Sequence, residues 1–246
     1  MKKYFFVSLI AVLSACSSSG DSSEPTGKLI KKIVESFEGG ETTTTTYQYN
    51  GSKLSTAFSQ ENDLKIVYSY SGDLITDISL RNLANNESVH RKFVYDSSGR
   101  LTHSSNSYPG SDNDDYADYT YNEDGTISAV EHYWDSFELE YGIQTIKYFI
   151  SEGDIVKIEK YFQSGTQTST YSYDAKHNPY SNVKGFNKLV DFYLTPHNMI
   201  SGMVTSSDGS IFLQTNSTYV YDDGDYPTTS VQTGTGNTKT TEYFYN

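Results

Sequence analysis

Cysteine is nearly absent: the 246 residues hold one, Cys16. That excludes an intrachain disulfide framework and a Cys-based zinc site, so the fold must rest on packing and backbone hydrogen bonding. Basic residues are scarce too, 18 Lys and Arg against 31 Asp and Glu, a formal net charge of −13. A surface of this sign repels a phosphate backbone and no basic cluster overrides it, which excludes nucleic acid as a partner. No apolar run reaches the roughly 20 residues of a membrane-spanning helix. Compact catalytic signatures are missing as well, with no nucleophile elbow, no His-Glu-Xaa-Xaa-His and no Walker loop. What the chain does have is rings: 23 Tyr in an aromatic share of 15%, far more than a disordered acidic chain carries.

Lys2 and Lys3 precede an apolar run from Tyr4 to Leu13, which ends in Leu13-Ser14-Ala15-Cys16. A basic start, a short apolar middle and small residues before a cut site form an export signal. These residues resemble a bacterial lipoprotein signal with its lipobox. The resemblance implies cleavage before Cys16, acylation of Cys16 and anchoring of the protein to a membrane through its acyl chains, which bind stably once two or more are present. Ser17, which is not Asp, implies sorting to the outer membrane by the same resemblance. The organisation expected is residues 1–15 as signal peptide, 16–28 as lipidated Cys and flexible tether, and 29–246 as one folded domain. Without residues 1–15 the chain keeps 16 basic and 31 acidic residues, a net charge of −15. The Ser-rich tether spans roughly 40 Å if fully stretched.

An aromatic-Xaa-aromatic pair followed by a turn recurs along the domain: Tyr47 and Tyr49, Tyr68 and Tyr70, Phe93 and Tyr95, Tyr119 and Tyr121, Tyr171 and Tyr173, Tyr219 and Tyr221, Tyr243 and Tyr245. Successive starts lie 21, 25, 26, 52, 48 and 24 residues apart. The two long steps are read as double, with degenerate copies at Tyr148-Phe149-Ile150 and Phe192-Tyr193-Leu194, which gives nine repeats. Asn50-Gly51, Ser71-Gly72, Asp96 to Gly99 and Asn122 to Gly125 supply hairpin turns after the pairs. Each repeat is therefore a β-hairpin, and the fold class is all-β, an antiparallel meander of about fifteen strands.

Side chains two apart share a strand face, so Ile66, Tyr68 and Tyr70 point one way while Lys65, Val67 and Ser69 point the other. The paired rings form the expected core, with each hydroxyl left at a wet edge. So many strands exceed what an open twisted sheet carries flat. A curled single sheet or solenoid-like arrangement is expected, with a β-propeller as the alternative. Lys28 to Glu35 fits helical spacing about as well as a strand, and the Gly39-Gly40 break after it favours the strand.

Phe93-Val94-Tyr95-Asp96-Ser97-Ser98-Gly99-Arg100-Leu101 resembles the tyrosine-aspartate repeat of bacterial rearrangement-hotspot proteins. Tyr173 to Tyr180 together with His197-Asn198-Met199-Ile200 is similar to a family of Bacteroidota lipoproteins of unknown function. These resemblances imply the repeat fold and carry no activity.

Candidate chemistry is thin. His90, His103, His132, His177 and His197 sit in different repeats at no ligand spacing. Glu131, Glu138 and Glu140 near Trp134 are the only carboxylate set that suggests glycoside hydrolysis. Asp112, Asp114, Asp115 and Asp118, and separately Asp222, Asp223 and Asp225, crowd into loops without matching a calcium loop. The expectation is a cell-envelope repeat protein, lipid-anchored and without catalytic residues, metal or cofactor, that binds a glycan or another envelope protein. A polysaccharide hydrolase and a purely structural envelope component are the alternatives.

Overall fold

The computed structural model describes residues 27–110, 114–135, 140–162, 165–190, 195–235 and 238–246. The proposed signal peptide, lipidation site Cys16 and most of the tether lie outside them. Sixteen strands follow in chain order: β1 (Ile30–Phe37), β2 (Thr42–Asn50), β3 (Lys53–Ser59), β4 (Leu64–Ser71), β5 (Leu74–Asn82), β6 (Ser88–Tyr95), β7 (Leu101–Ser107), β8 (Asp115–Tyr121), β9 (Ile127–Asp135), β10 (Glu140–Ser151), β11 (Asp154–Phe162), β12 (Gly165–His177), β13 (His197–Ser206), β14 (Ile211–Tyr221), β15 (Pro227–Gly234) and β16 (Thr238–Tyr245). Every strand pairs antiparallel with its sequence neighbours, and β1 pairs with β16 from Ile30↔Tyr245 to Phe37↔Lys239. The sheet is a closed barrel. The expected open curled sheet, solenoid and propeller are all incorrect, because closure removes the two free edges that any open meander of this length would expose. The segment at Lys28 to Glu35 enters β1 as a strand.

Each aromatic pair lies in the second half of an even-numbered strand, and on β2, β4, β6, β8 and β14 it stands just before the turn. The turns have the chemistry their residues require: Gly51, Gly72, Gly99 and Gly125 hold φ of 60°, 56°, 73° and 81°, where a Cβ is disfavoured. Eight copies are thus built into the wall. The 52-residue step does contain a copy, at Tyr148 on β10, whereas in the 48-residue step residues 178–190, in the insert between β12 and β13, form turns and a short 3₁₀ helix. The expected ninth copy at 192–194 falls in that insert and outside the described residues.

Strand alternation turns the rings inward. Leu54, Ile75, Ile78, Phe93, Leu101, Tyr119, Ile127, Ile146, Tyr148 and Ile158 form a buried core, with Tyr47, Tyr49, Tyr68, Tyr70, Tyr95, Tyr121 and Tyr171 packed against it. Four of the hydroxyls are bonded into the wall rather than left at a wet edge as expected. Tyr49 donates to the Ile30 carbonyl at 2.8 Å, Tyr95 to Ile75 at 2.6 Å, Tyr173 to Ile155 at 2.8 Å and Tyr245 to Pro227 at 2.9 Å. In all four the acceptor begins, or nearly begins, the odd strand of the preceding hairpin. Ring burial and a hydrogen bond to the neighbouring hairpin are therefore supplied by one side chain, which explains why these positions are Tyr rather than Phe or Leu.

The outer wall is mostly polar, with Val94, Val130, Ile143, Val220, Val231 and Phe244 exposed among its polar rows. Lys65 and Ser69 on β4, Asp77 and Arg81 on β5, His90 and Lys92 on β6, and Thr166, Thr168 and Thr170 on β12 alternate with the inward rows. Outward rings are overlaid by cations, Lys32 over Phe244 at 3.9 Å and Lys157 over Phe149 at 3.8 Å. A membrane-spanning barrel carries the opposite alternation, an apolar band outside and a polar lumen. No helix among the described residues is long and apolar enough to cross a membrane.

Candidate functional site: a plugged, two-chambered lumen

The insert between β12 and β13 closes one end of the barrel. Asn178 opens it with an Asx turn, its Oδ1 accepting the Tyr180 amide at 2.9 Å. Val183, Phe186 and Leu189 then recur every third residue around a 3₁₀ helix at Phe186–Lys188, the spacing at which 3₁₀ side chains eclipse, and all three are buried. The insert is fastened to the hairpin turns it covers. The Lys184 amide donates to the Ser52 carbonyl at 3.0 Å, Lys184 Nζ lies 3.4 Å from Asp73, and Asn182 Nδ2 reaches the Lys28 carbonyl at 2.9 Å and the Tyr226 hydroxyl at 2.6 Å. Its far end is held by His197 Nδ1 on buried Asp154 at 2.7 Å. Asp174 ties β12 to the same place, accepting from the Asn198 amide at 3.2 Å and from the Tyr221 hydroxyl.

Above this plug the lumen is not filled. Two cavities open side by side against it. One, about 240 Å³, is polar and runs from Asn178 and Asn198 up past Tyr219 and Tyr243 to Glu35 and Lys239, just below the rim at the ends of β1 and β16. The other, about 270 Å³, is apolar, lined by Ala57, Ile66, Ile78, Phe186 and Leu189. Thr45, Tyr47 and Tyr180 border both. The Tyr47 and Tyr180 hydroxyls meet at 2.8 Å, with the rings edge-to-face at 5.9 Å. Glu35 and Lys239 pair at 2.7 Å, each about one-third exposed. Burial pushes the Tyr47 phenol up to about 12 against its Tyr180 hydrogen bond, with the Glu35 charge adding to the rise. Burial likewise raises Tyr180 and Tyr243. These phenols are neutral hydrogen-bonding groups at physiological pH, not acids or nucleophiles.

The other sequence candidates are dispersed. Glu131 alternates with Ile127 and Ala129, so it faces the lumen, where the Gln144 amide donates to it. Glu138 lies outside the described residues, as does the side chain of Glu140. Whether Glu131 meets either of them therefore lies outside the described residues. His103 pairs with Asp118 at 2.7 Å on the outer wall, His132 stacks on Tyr116 at 4.3 Å, and His177 stacks on Tyr226 at 4.7 Å. His90 lies 3.8 Å from Asp77. Asp114 accepts from Ser107, Asp115 from Tyr108, while Asp222 and Asp225 pair with Lys28 and Lys176. Asp112 lies outside the described residues. No group of three metal-ligating side chains occurs among the described residues. Of the predicted repeat residues, Tyr47, Tyr219 and Tyr243 line the polar chamber and Tyr68 the apolar one. Phe93 and Tyr119 are buried in the core, and the remainder pack in the wall around it. Sequence reading missed the plug and Glu35–Lys239. The signal for the plug was the three-residue recurrence of Val183, Phe186 and Leu189, which neither strand nor α-helix periodicity captures.

The barrel has a solved counterpart. A porin-like protein from Bacteroides uniformis is similar in fold, with a TM-score of 0.55 and 14% identity over 88% of this chain and 98% of that one. A TcdB2–TccC3–Cdc42 structure aligns with 82% of this chain and 14% of its own, at 12% identity and a TM-score of 0.36. No family model matches the chain, and no curated protein matches it in sequence. At these identities the likeness concerns the fold alone.

Proposed function

We propose that this protein is a non-catalytic binding barrel of the cell envelope, held to the outer membrane by acyl chains on Cys16, that receives a glycan-bearing ligand in its lumen. The observation that carries the reading is the pair of ring-lined cavities left open above a fastened plug. A barrel built only for stability would fill that space, since interiors pack with few voids, and a concave site with a few convergent polar groups is the usual form of a small-ligand pocket. A protein partner is a poorer fit, because a stable interface needs roughly 800 Å² on each side and these chambers are small and recessed. The mostly polar outer wall supports a barrel that stands in water beside the membrane, and the porin-like fold neighbour is consistent with an envelope setting.

The tether would leave from the plugged end. Lys28 pairs with Asp222 at 2.6 Å in the β14–β15 turn, and the Leu29 carbonyl accepts the Asn246 amide at 3.0 Å. An anchored barrel therefore presents its closed end to the membrane and its mouth away from it.

The test is a glycan array and calorimetry on residues 16–246 with Cys16→Ser, alongside a Thr45→Trp variant that fills the junction of the two chambers. Binding by the native barrel that is lost in folded Thr45→Trp supports the reading. Equal binding by both moves the site to the outer wall, and an absence of glycan binding by the native barrel removes the reading.

A further inference from the structure

We infer that the lumen is built for an electrically neutral amphipath, a hydroxyl-rich head joined to an apolar tail, rather than for a free oligosaccharide or a charged lipid. The inference rests on the lumen reading above and specifies its ligand class. Two cavities of nearly equal size and opposite polarity share one border, the hydroxyl pair of Tyr47 and Tyr180. A free sugar would wet the polar chamber and leave the surface of Ile66, Ile78 and Leu189 exposed to water, at the ordinary cost of unburied apolar area. A fatty chain alone would strip water from the Glu35–Lys239 pair and from the tyrosine hydroxyls lining the polar chamber and return no hydrogen bond in exchange. One molecule that spans the border satisfies both, with its linking oxygen at the two phenols, each able to donate or accept.

Neutrality follows from the charges facing the chamber. Glu35 and Lys239 point at one another at 2.7 Å and cancel. The remaining groups at the polar end are Asn178, Asn198, Thr241 and tyrosine hydroxyls, none of which carries charge at physiological pH. A ligand carboxylate or phosphate placed there would lack a free counter-charge and would lose its hydration, whereas hydroxyls exchange water for the same partners.

Octyl β-D-glucoside below its micellar concentration, glucose and octanoate serve as probes, titrated into the barrel at neutral pH by calorimetry. The glucoside is expected to bind one per chain, about tenfold or more tighter than either fragment, as burial of several methylenes in an occupied apolar chamber requires. In Glu35→Gln, Lys239 loses its partner, and the preference for the glucoside over octanoate should fall about tenfold. Glutamate 35 is partly exposed and the replacement nearly isosteric, so this variant retains the fold. Glucose binding as tightly as the glucoside would overturn the use of the apolar chamber. Octanoate matching the glucoside on the native barrel would overturn the neutrality argument, and no binding by any of the three would overturn the inference as a whole. If array oligosaccharides bind the native barrel and are lost in Thr45→Trp while the glucoside has no advantage, the lumen reading survives and the amphipath does not.

Discussion

Raising the pH should unfold this barrel through its tyrosines. Burial lifts Tyr47, Tyr70 and Tyr219 from an ordinary value of 10 to about 12, and raises Tyr49, Tyr68, Tyr95, Tyr173 and Tyr245 further. The protonated, neutral phenol is the form the fold prefers. Its stabilisation is complete below pH 10, where folded and unfolded chains are both protonated. It is lost as pH rises from 10 through the folded values, because the unfolded chain ionises first. At pH 11 a well-buried phenol shifted to about 12, such as Tyr47, has given up about 1.4 kcal/mol; Tyr70 and Tyr219, more open to water, give up less, and the more strongly shifted rings add to that. Domain stability is typically about 5–15 kcal/mol, so the loss reaches the whole of it near pH 11 to 12. Tyrosinate absorbance and the far-ultraviolet strand signal, followed together, should change in one cooperative step within that window. A gradual titration centred on 10 with the strand signal intact would refute the claim that these rings are packed inside a closed wall.

Tyr95→Phe deletes the donor to the Ile75 carbonyl, and denaturant unfolding should show a loss of about 1–3 kcal/mol as that buried acceptor goes unpaired; no loss would mean that water replaces the hydroxyl. Leu54→Ala and Ile75→Ala, both fully buried, should each cost about 2–5 kcal/mol in the same assay. Gly185 has φ of 83° and its missing Cβ would sit 2.8 Å from the Asp73 carbonyl oxygen. Gly185→Ala should therefore cost about 1–3 kcal/mol, read as faster amide exchange confined to the plug, whereas uniform exchange across the barrel would contradict a separately fastened plug. His197→Ala removes the partner of buried Asp154 and should likewise loosen the plug while leaving the β1–β16 pairing protected.

Much of the wall was readable in advance. Period-2 alternation at Ile66, Tyr68 and Tyr70 put the rings on one face, and the Gly and Asn turn residues fixed where each hairpin reverses, because both are local consequences of backbone geometry. The count came close for the same reason. In the 48-residue step after Tyr171, the buried 3₁₀ turn at Phe186–Lys188 was not legible, because periodicity of 2 does not register a three-residue recurrence. Glu35 and Lys239 were illegible as a pair, since they are 204 residues apart and meet only through the β1–β16 seam.

By itself, the sequence determined an antiparallel all-β chain of tyrosine-paired hairpins, with one face apolar. Strand propensity, alternation and turn chemistry act over a few residues, so they survive in the linear text. Tertiary structure decided that the sheet closes, that the ring-bearing face is the concave one, that an insert seals one end and that two unlike chambers remain above it. Those outcomes depend on the twist accumulated over sixteen strands and on the pairing of β1 with β16, which no local pattern encodes.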